Sequence, residues 1–166
     1  ASAITPDGLV SYVDDLMTLD SIYVFEGFPG SGTDIVLEKI KEAAVERGFN
    51  VEAFYCGFDP DKLEHLIIPE LNTGFSTAGK YHSTDACVNK RVDFRELLND
   101  SAISKLGPEL EYNDHEFGSL LNKAVEMISN AKKLHDELEA FYIQNMDFEG
   151  IRKKQDETVQ KILSYS

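Results

Sequence analysis

The sequence predicts an α/β domain, a mostly parallel sheet flanked by helices, that ends in a long C-terminal antiparallel helical hairpin. Three observations carry this expectation. Ser21-Ile22-Tyr23-Val24-Phe25-Glu26 is a short β-branched and aromatic run with the pattern of a buried strand. A glycine-rich turn follows it, and Ile35, Leu37, Ile40, Ala43 and Ala44 then recur at helical spacing. From about Glu111 the character changes: Phe117, Leu121, Ala124, Ile128, Ala131, Leu138 and Tyr142 fall on alternating three- and four-residue steps with charges between them. The division expected is an α/β core over residues 1–110, and a helical hairpin over 111–166 that belongs to the same domain.

In chain order, Thr5-Pro6-Asp7-Gly8 reads as a turn and helix start leading into Leu9, Tyr12, Val13 and Leu16, so a short N-terminal helix is expected before the first strand. After the central helix, Arg47-Gly48-Phe49-Asn50 is a helix end and turn, and Val51-Glu52-Ala53-Phe54-Tyr55-Cys56 is a second strand. Strand, loop, helix, strand makes a βαβ unit and argues for parallel pairing. Gly57-Phe58-Asp59-Pro60-Asp61 is a turn at the carboxyl end of that strand, the edge where α/β folds place ligands. Leu66-Ile67-Ile68 is a third apolar run ended by Pro69, and residues 73–79 read as a further strand or a polar loop. Residues 145–150 break the long helix, and Ile151, Val159, Ile162 and Leu163 mark a return helix.

Between the first strand and its helix, Gly27-Phe28-Pro29-Gly30-Ser31-Gly32-Thr33-Asp34 has the layout of a phosphate-binding loop. The pattern asks for Gly, four residues, Gly, then Lys and Ser or Thr. Gly27 and Gly32 fit, whereas Thr33 stands at the lysine position and Asp34 at that of the magnesium-binding hydroxyl. Backbone N–H groups and a helix N-terminus can still form a nest for phosphate. Asp34 in the first helical turn competes for the same field. Two unit charges about 5 Å apart at an effective dielectric near 20 interact by roughly 3 kcal/mol. Loss of the lysine plus this repulsion weakens triphosphate binding by roughly two to four powers of ten. A magnesium ion bridging Asp34 to phosphate would recover part of that. Ser76 and Thr77 stand where a P-loop enzyme would place an acidic residue for magnesium at a strand end.

Thirty acidic against 16 basic residues give a formal charge of −14, which argues against nucleic-acid binding and against anionic membrane surfaces. Two cysteines, Cys56 and Cys87, do not make a disulfide scaffold. With no signal peptide and no membrane-length apolar run, a reducing cytoplasm is expected. The opening residues, which lack an initiator methionine, read as those of a domain cut from a larger protein. A metal site built from His65, His82, Asp85, Cys56 and Cys87 does not match zinc spacings. A Ser-His-Asp hydrolase drawn from Ser31, His82 and Asp59 lacks a nucleophile elbow.

Several phrases, in order, resemble one family: Ser2-Ala3-Ile4-Thr5-Pro6-Asp7-Gly8, the 27–32 loop, Cys56-Gly57-Phe58-Asp59-Pro60, Ile67-Ile68-Pro69-Glu70-Leu71, His135-Asp136-Glu137-Leu138 and Asn145-Met146-Asp147-Phe148. Together they resemble the second half of tandem-duplicated P-loop ATPase-like proteins of unassigned role from spore-forming Firmicutes. The resemblance implies a P-loop NTPase-like fold, an N-terminal P-loop half as partner, and a terminal strand beyond Ser166. Where relatives keep Gly-Lys-Ser or Gly-Lys-Thr, this chain has Gly32-Thr33-Asp34. The expected function is therefore a degenerate, non-catalytic or weakly nucleotide-binding half that serves a regulatory or structural role, with ATP and magnesium as its weak ligands and a homodimer as an alternative assembly. The alternatives are a divergent magnesium-dependent phosphotransferase or hydrolase, with Asp34 on the metal and Lys80 on phosphate, and an acidic protein-interaction module.

Overall fold

The computed structural model describes residues 2–81, 84 and 88–165. The chain begins with an antiparallel hairpin, β1 (Ser2–Thr5) and β2 (Gly8–Ser11), followed by a single helical turn, α1 (Val13–Leu16). The expected N-terminal helix is thus replaced over most of its length by strands. The turn chemistry explains this: Thr5 Oγ1 donates to the Gly8 carbonyl at 2.8 Å and accepts from Asp7 N–H at 3.2 Å. Gly8, with φ +119°, takes a conformation that L-residues rarely adopt, and returns the chain as a hairpin.

The five-stranded sheet has the order β4-β5-β6-β3-β7. Its central strand β3 (Ser21–Glu26) runs parallel to β6 (Thr73–Ala78) on one side and to β7 (Lys90–Asp93) on the other. β4 (Glu52–Tyr55) and β5 (Leu63–Ile68) pair antiparallel, as do β5 and β6. The sheet is therefore mixed, which corrects the expectation of a mostly parallel one. Two tight turns are the cause. Cys56 N–H bonds the Lys62 carbonyl at 2.8 Å, so β4 turns straight back into β5, and Asn72, at φ +45°, closes the second reversal onto Pro69. A crossover long enough to keep β4 and β5 parallel does not exist between them.

Each face of the sheet has its own core. Ile22 and Val24 of β3 meet Ile67 of β5 and, from α1 and its C-terminal edge, Val13 and Met17. On the opposite face Phe25, Leu63 and Leu66 enclose Leu37 of α2 (Thr33–Glu46), with Phe75 packed against them. Rings of Tyr23, Phe75, Phe25 and Phe94 form a row with successive centroids 5.3, 6.4 and 5.7 Å apart. Burying each large apolar side chain in this way contributes about 1.5–3 kcal/mol. Gly74 is required for close packing: a Cβ there would lie 2.7 Å from Leu19 Cδ1 and 2.8 Å from Met17 Sδ.

After β7 come a short 3-10 turn (Phe94–Leu97) and the helical turn α3 (Asp100–Ile103). Then follow the 37-residue helix α4 (Gly107–Ile143) and α5 (Phe148–Leu163). The chain divides into two units, Ala1–Glu126 and Met127–Ser166. The break between α4 and α5 overlaps the expected 145–150 stretch, but α5 begins inside that stretch, at Phe148, because Asp147 caps it by accepting Gly150 N–H at 2.9 Å. No described side chain of α4 or α5 is fully buried, so the two do not close an apolar seam on each other as the expected hairpin would. Among the described residues no helix is long and apolar enough to cross a membrane.

Candidate functional site

The 27–34 segment joins the carboxyl end of the central strand β3 to the N-terminus of α2, a position fixed by parallel pairing on both sides of β3. Gly27 N–H continues the ladder to the Ala78 carbonyl at 3.3 Å, and Ser31 N–H closes the loop onto the Phe28 carbonyl at 3.0 Å. Gly30 and Gly32 have φ +84° and +85°. Only glycine takes this region readily, so both belong to the shape of the turn. Gly27 is needed for close approach: a Cβ there would overlap Ser31 Oγ and lie 3.1 Å from Thr33 Cγ2. Phe28, Pro29 and Gly30 are exposed at the tip.

Gly32 is the N-cap of α2 and no side chain caps the first turn, which carries Asp34 as its acidic residue. Val36 N–H makes the first helical bond to the Gly32 carbonyl at 3.2 Å. Ser31 Oγ is buried inside the loop with no hydrogen-bond partner among the described residues, an arrangement that costs about 1–3 kcal/mol. Lys62 is paired with Asp59 in the turn after β4. Its pKa is raised first by a hydrogen bond to Asp59, at 3.0 Å, and to a lesser degree by the field of Asp34.

The expected alternative cation, Lys80, lies just past β6 and is held by both Asp114 carboxylate oxygens at 2.7 and 2.6 Å, which raises its pKa. Ser76 and Thr77 occupy β6 beside Val24 and Phe25. Ser76 is buried against His65, with Oγ 2.9 Å from Nδ1. Ser76 Oγ also donates to the Thr77 carbonyl at 3.0 Å. Its one proton is thereby committed, so His65 Nδ1–H is the donor in that pair. Cys56 is half-buried, and its thiol pKa is pushed up by burial first and then by a hydrogen bond with Glu64. A raised pKa disfavours the thiolate that nucleophilic or metal chemistry needs. His82, Asp85 and Cys87 lie outside the described residues. Among the described residues the grouping with metal-ligand proximity is His135, Asp136 and Glu139, three exposed side chains on one helix. Exposed neighbours of this kind follow from helical spacing alone.

Two features escape a sequence reading. Glu26, the residue before Gly27, accepts Arg91 Nη1 and Arg95 Nη2, each at 2.9 Å, and Arg95 also binds Asp93 at 2.7 Å. Arg95 holds the Asp93 carboxyl below the usual range. The partners are 65 and 69 residues apart, so only the β3–β7 pairing brings them together. A ring cluster of Phe58, Tyr81 and Phe117 joins the turn after β4, the segment after β6 and the start of α4, with centroids 5.0–6.4 Å apart. Two surface hollows are lined by residues outside the 27–34 segment. One, of about 420 Å³, is lined by Lys80, Asp114, His115, Gly118, Ser119 and Asn122. The other, of about 340 Å³, lies between the β1–β2 hairpin and Gly57 and Phe58.

Compared with known proteins, the chain matches no family model, no curated protein and no solved structure.

Proposed function

We propose that this chain is a degenerate P-loop NTPase-like domain whose loop keeps the backbone of a phosphate nest without the side chains of turnover, and that it serves as a regulatory or structural half of a larger ATPase-like assembly. One observation carries the reading: a glycine turn with two left-handed residues runs from a central parallel strand into a helix N-terminus that no side chain caps. Backbone N–H groups at such a terminus favour an anion. The buried Ser31 hydroxyl, with no acceptor among the described residues, adds a donor at the same place. Asp34 and the missing lysine oppose the anion. The antiparallel β4–β5 pair departs from an all-parallel core and weighs against the fold-level part of the reading.

Calorimetric titration of magnesium-ATP tests it, comparing the chain with a Thr33→Lys, Asp34→Ser double variant. The reading predicts that the double variant binds at least about a hundredfold more tightly. No binding by either would make the loop architecture only. The second reading, a divergent magnesium-dependent enzyme, rests on Asp34 standing as the acidic residue of the first turn of α2, where it could hold the metal. It requires metal-dependent ATP turnover by the unaltered chain, abolished by Asp34→Ala.

A further inference from the structure

Residues 127–163 carry more apolar surface than they can cover. In α4, Ile128, Ala131, His135, Leu138 and Tyr142 continue the alternation of three and four residues that begins at Phe117. Immediately before the first, third and fifth of these stand Met127, Leu134 and Phe141, which are 64%, 67% and 71% exposed. These form a second apolar ridge beside the first. A helix with three apolar positions per heptad faces more than one neighbouring helix, whereas a two-stranded seam needs only two positions. α5 offers one stripe, Phe148, Ile151, Val159 and Ile162, all exposed. Folded back across the short connection, a single α5 could cover one ridge of α4 and would leave the other with no helix of the same segment against it.

Charge favours a second copy as the partner. Residues 127–166 hold six basic and seven acidic residues, a formal charge of −1, whereas residues 1–126 hold ten and 23, a charge of −13. The helical unit is therefore the part of this acidic chain where two copies meet with least repulsion. Within it, Met127 to Ile143 carries two basic and three acidic residues, and α5 carries four and three. The two helices are of opposite sign, so a second copy presents each of them with a complementary partner, as a two-fold symmetric interface requires.

We propose that residues 127–163 pair with the same segment of a second copy, the two α4 segments and two α5 helices forming a four-helix bundle. Sedimentation equilibrium on the full chain over a range of concentrations tests it, beside a Leu134→Glu, Phe141→Glu double variant. Both substitutions lie on the exposed second ridge, so the thermal transition of the sheet serves as the control for folding. The expected result is a monomer–dimer equilibrium for the unaltered chain and a monomer for the variant, with that transition unchanged. An unaltered chain that stays monomeric throughout, a dimer that persists in the variant, or assembly beyond two copies would each overturn the proposal.

Discussion

Strand β3 and the 127–143 stretch of α4 are both rich in large apolar residues, yet Ile22, Val24 and Phe25 are buried while Met127, Leu134, Leu138 and Phe141 are exposed. The difference lies in where each segment finds its neighbours. β3 sits between β6 and β7 and beneath two helical elements, all supplied by the same chain. The seven-residue repeat of α4 specifies the geometry of a partner helix without supplying one. A period-two strand pattern surrounded by its own sheet is satisfied on folding, whereas a heptad pattern needs a neighbouring helix, from the same chain or from another.

Core truncations should separate the two regions most widely. Leu37→Ala or Leu66→Ala, at positions 0% exposed, should cost about 2–5 kcal/mol. Leu138→Ala, at a position 53% exposed, should leave the unfolding of the sheet within about 0.5 kcal/mol. Denaturant melts followed by tyrosine and far-ultraviolet signals would report both, and equal costs would erase the distinction. A smaller effect is expected from overpacking: Gly74→Ala drives a methyl group against Met17 and Leu19 and should cost about 1–3 kcal/mol. Shortening Met17 to Ala in the same background should relieve part of the overlap. The loop itself should be sensitive to backbone strain. Gly32→Ala, at φ +85°, should cost about 1–2 kcal/mol in the same melts, although no contact is lost. The smallest effect is a pH dependence. Glu70 has its pKa lowered chiefly by the Asn50 backbone N–H, 3.0 Å from Oε1. A carboxylate with a depressed folded pKa contributes stability above its ordinary unfolded value and loses it as pH falls through the lowered one. Glu70→Gln should therefore reduce stability at neutral pH and flatten the acid limb below the usual carboxylate range.

Much of the sheet was legible because its strands announce themselves through β-branched and aromatic runs. Ser21–Glu26 and Glu52–Tyr55 lie where the pattern predicts strands, and the third apolar run, Leu66-Ile67-Ile68, forms the second half of the strand Leu63–Ile68. Strand direction was not legible. The turn at residues 57–61 was visible in its Gly, Asp and Pro, but not that Cys56 N–H would bond the Lys62 carbonyl and lead the chain straight back as an antiparallel strand. The hairpin at the N-terminus was missed for a related reason: Leu9, Tyr12, Val13 and Leu16 fit a helical period, but Gly8 and the Thr5 hydroxyl had already committed the chain to a reversal. At the candidate site the loop residues fall together in sequence and were visible at once. The Glu26, Arg91 and Arg95 ion pairs were not, because they exist only once β7 lies beside β3.

Amide hydrogen exchange on the intact chain at two protein concentrations about a hundredfold apart tests the contrast between the regions most directly. The account predicts strong protection in β3 and β6 that does not change with concentration, and protection in residues 127–163 that rises with it. Protection of residues 127–163 that is equally strong in dilute solution would contradict it, because the helices would then have closed on a partner within their own chain.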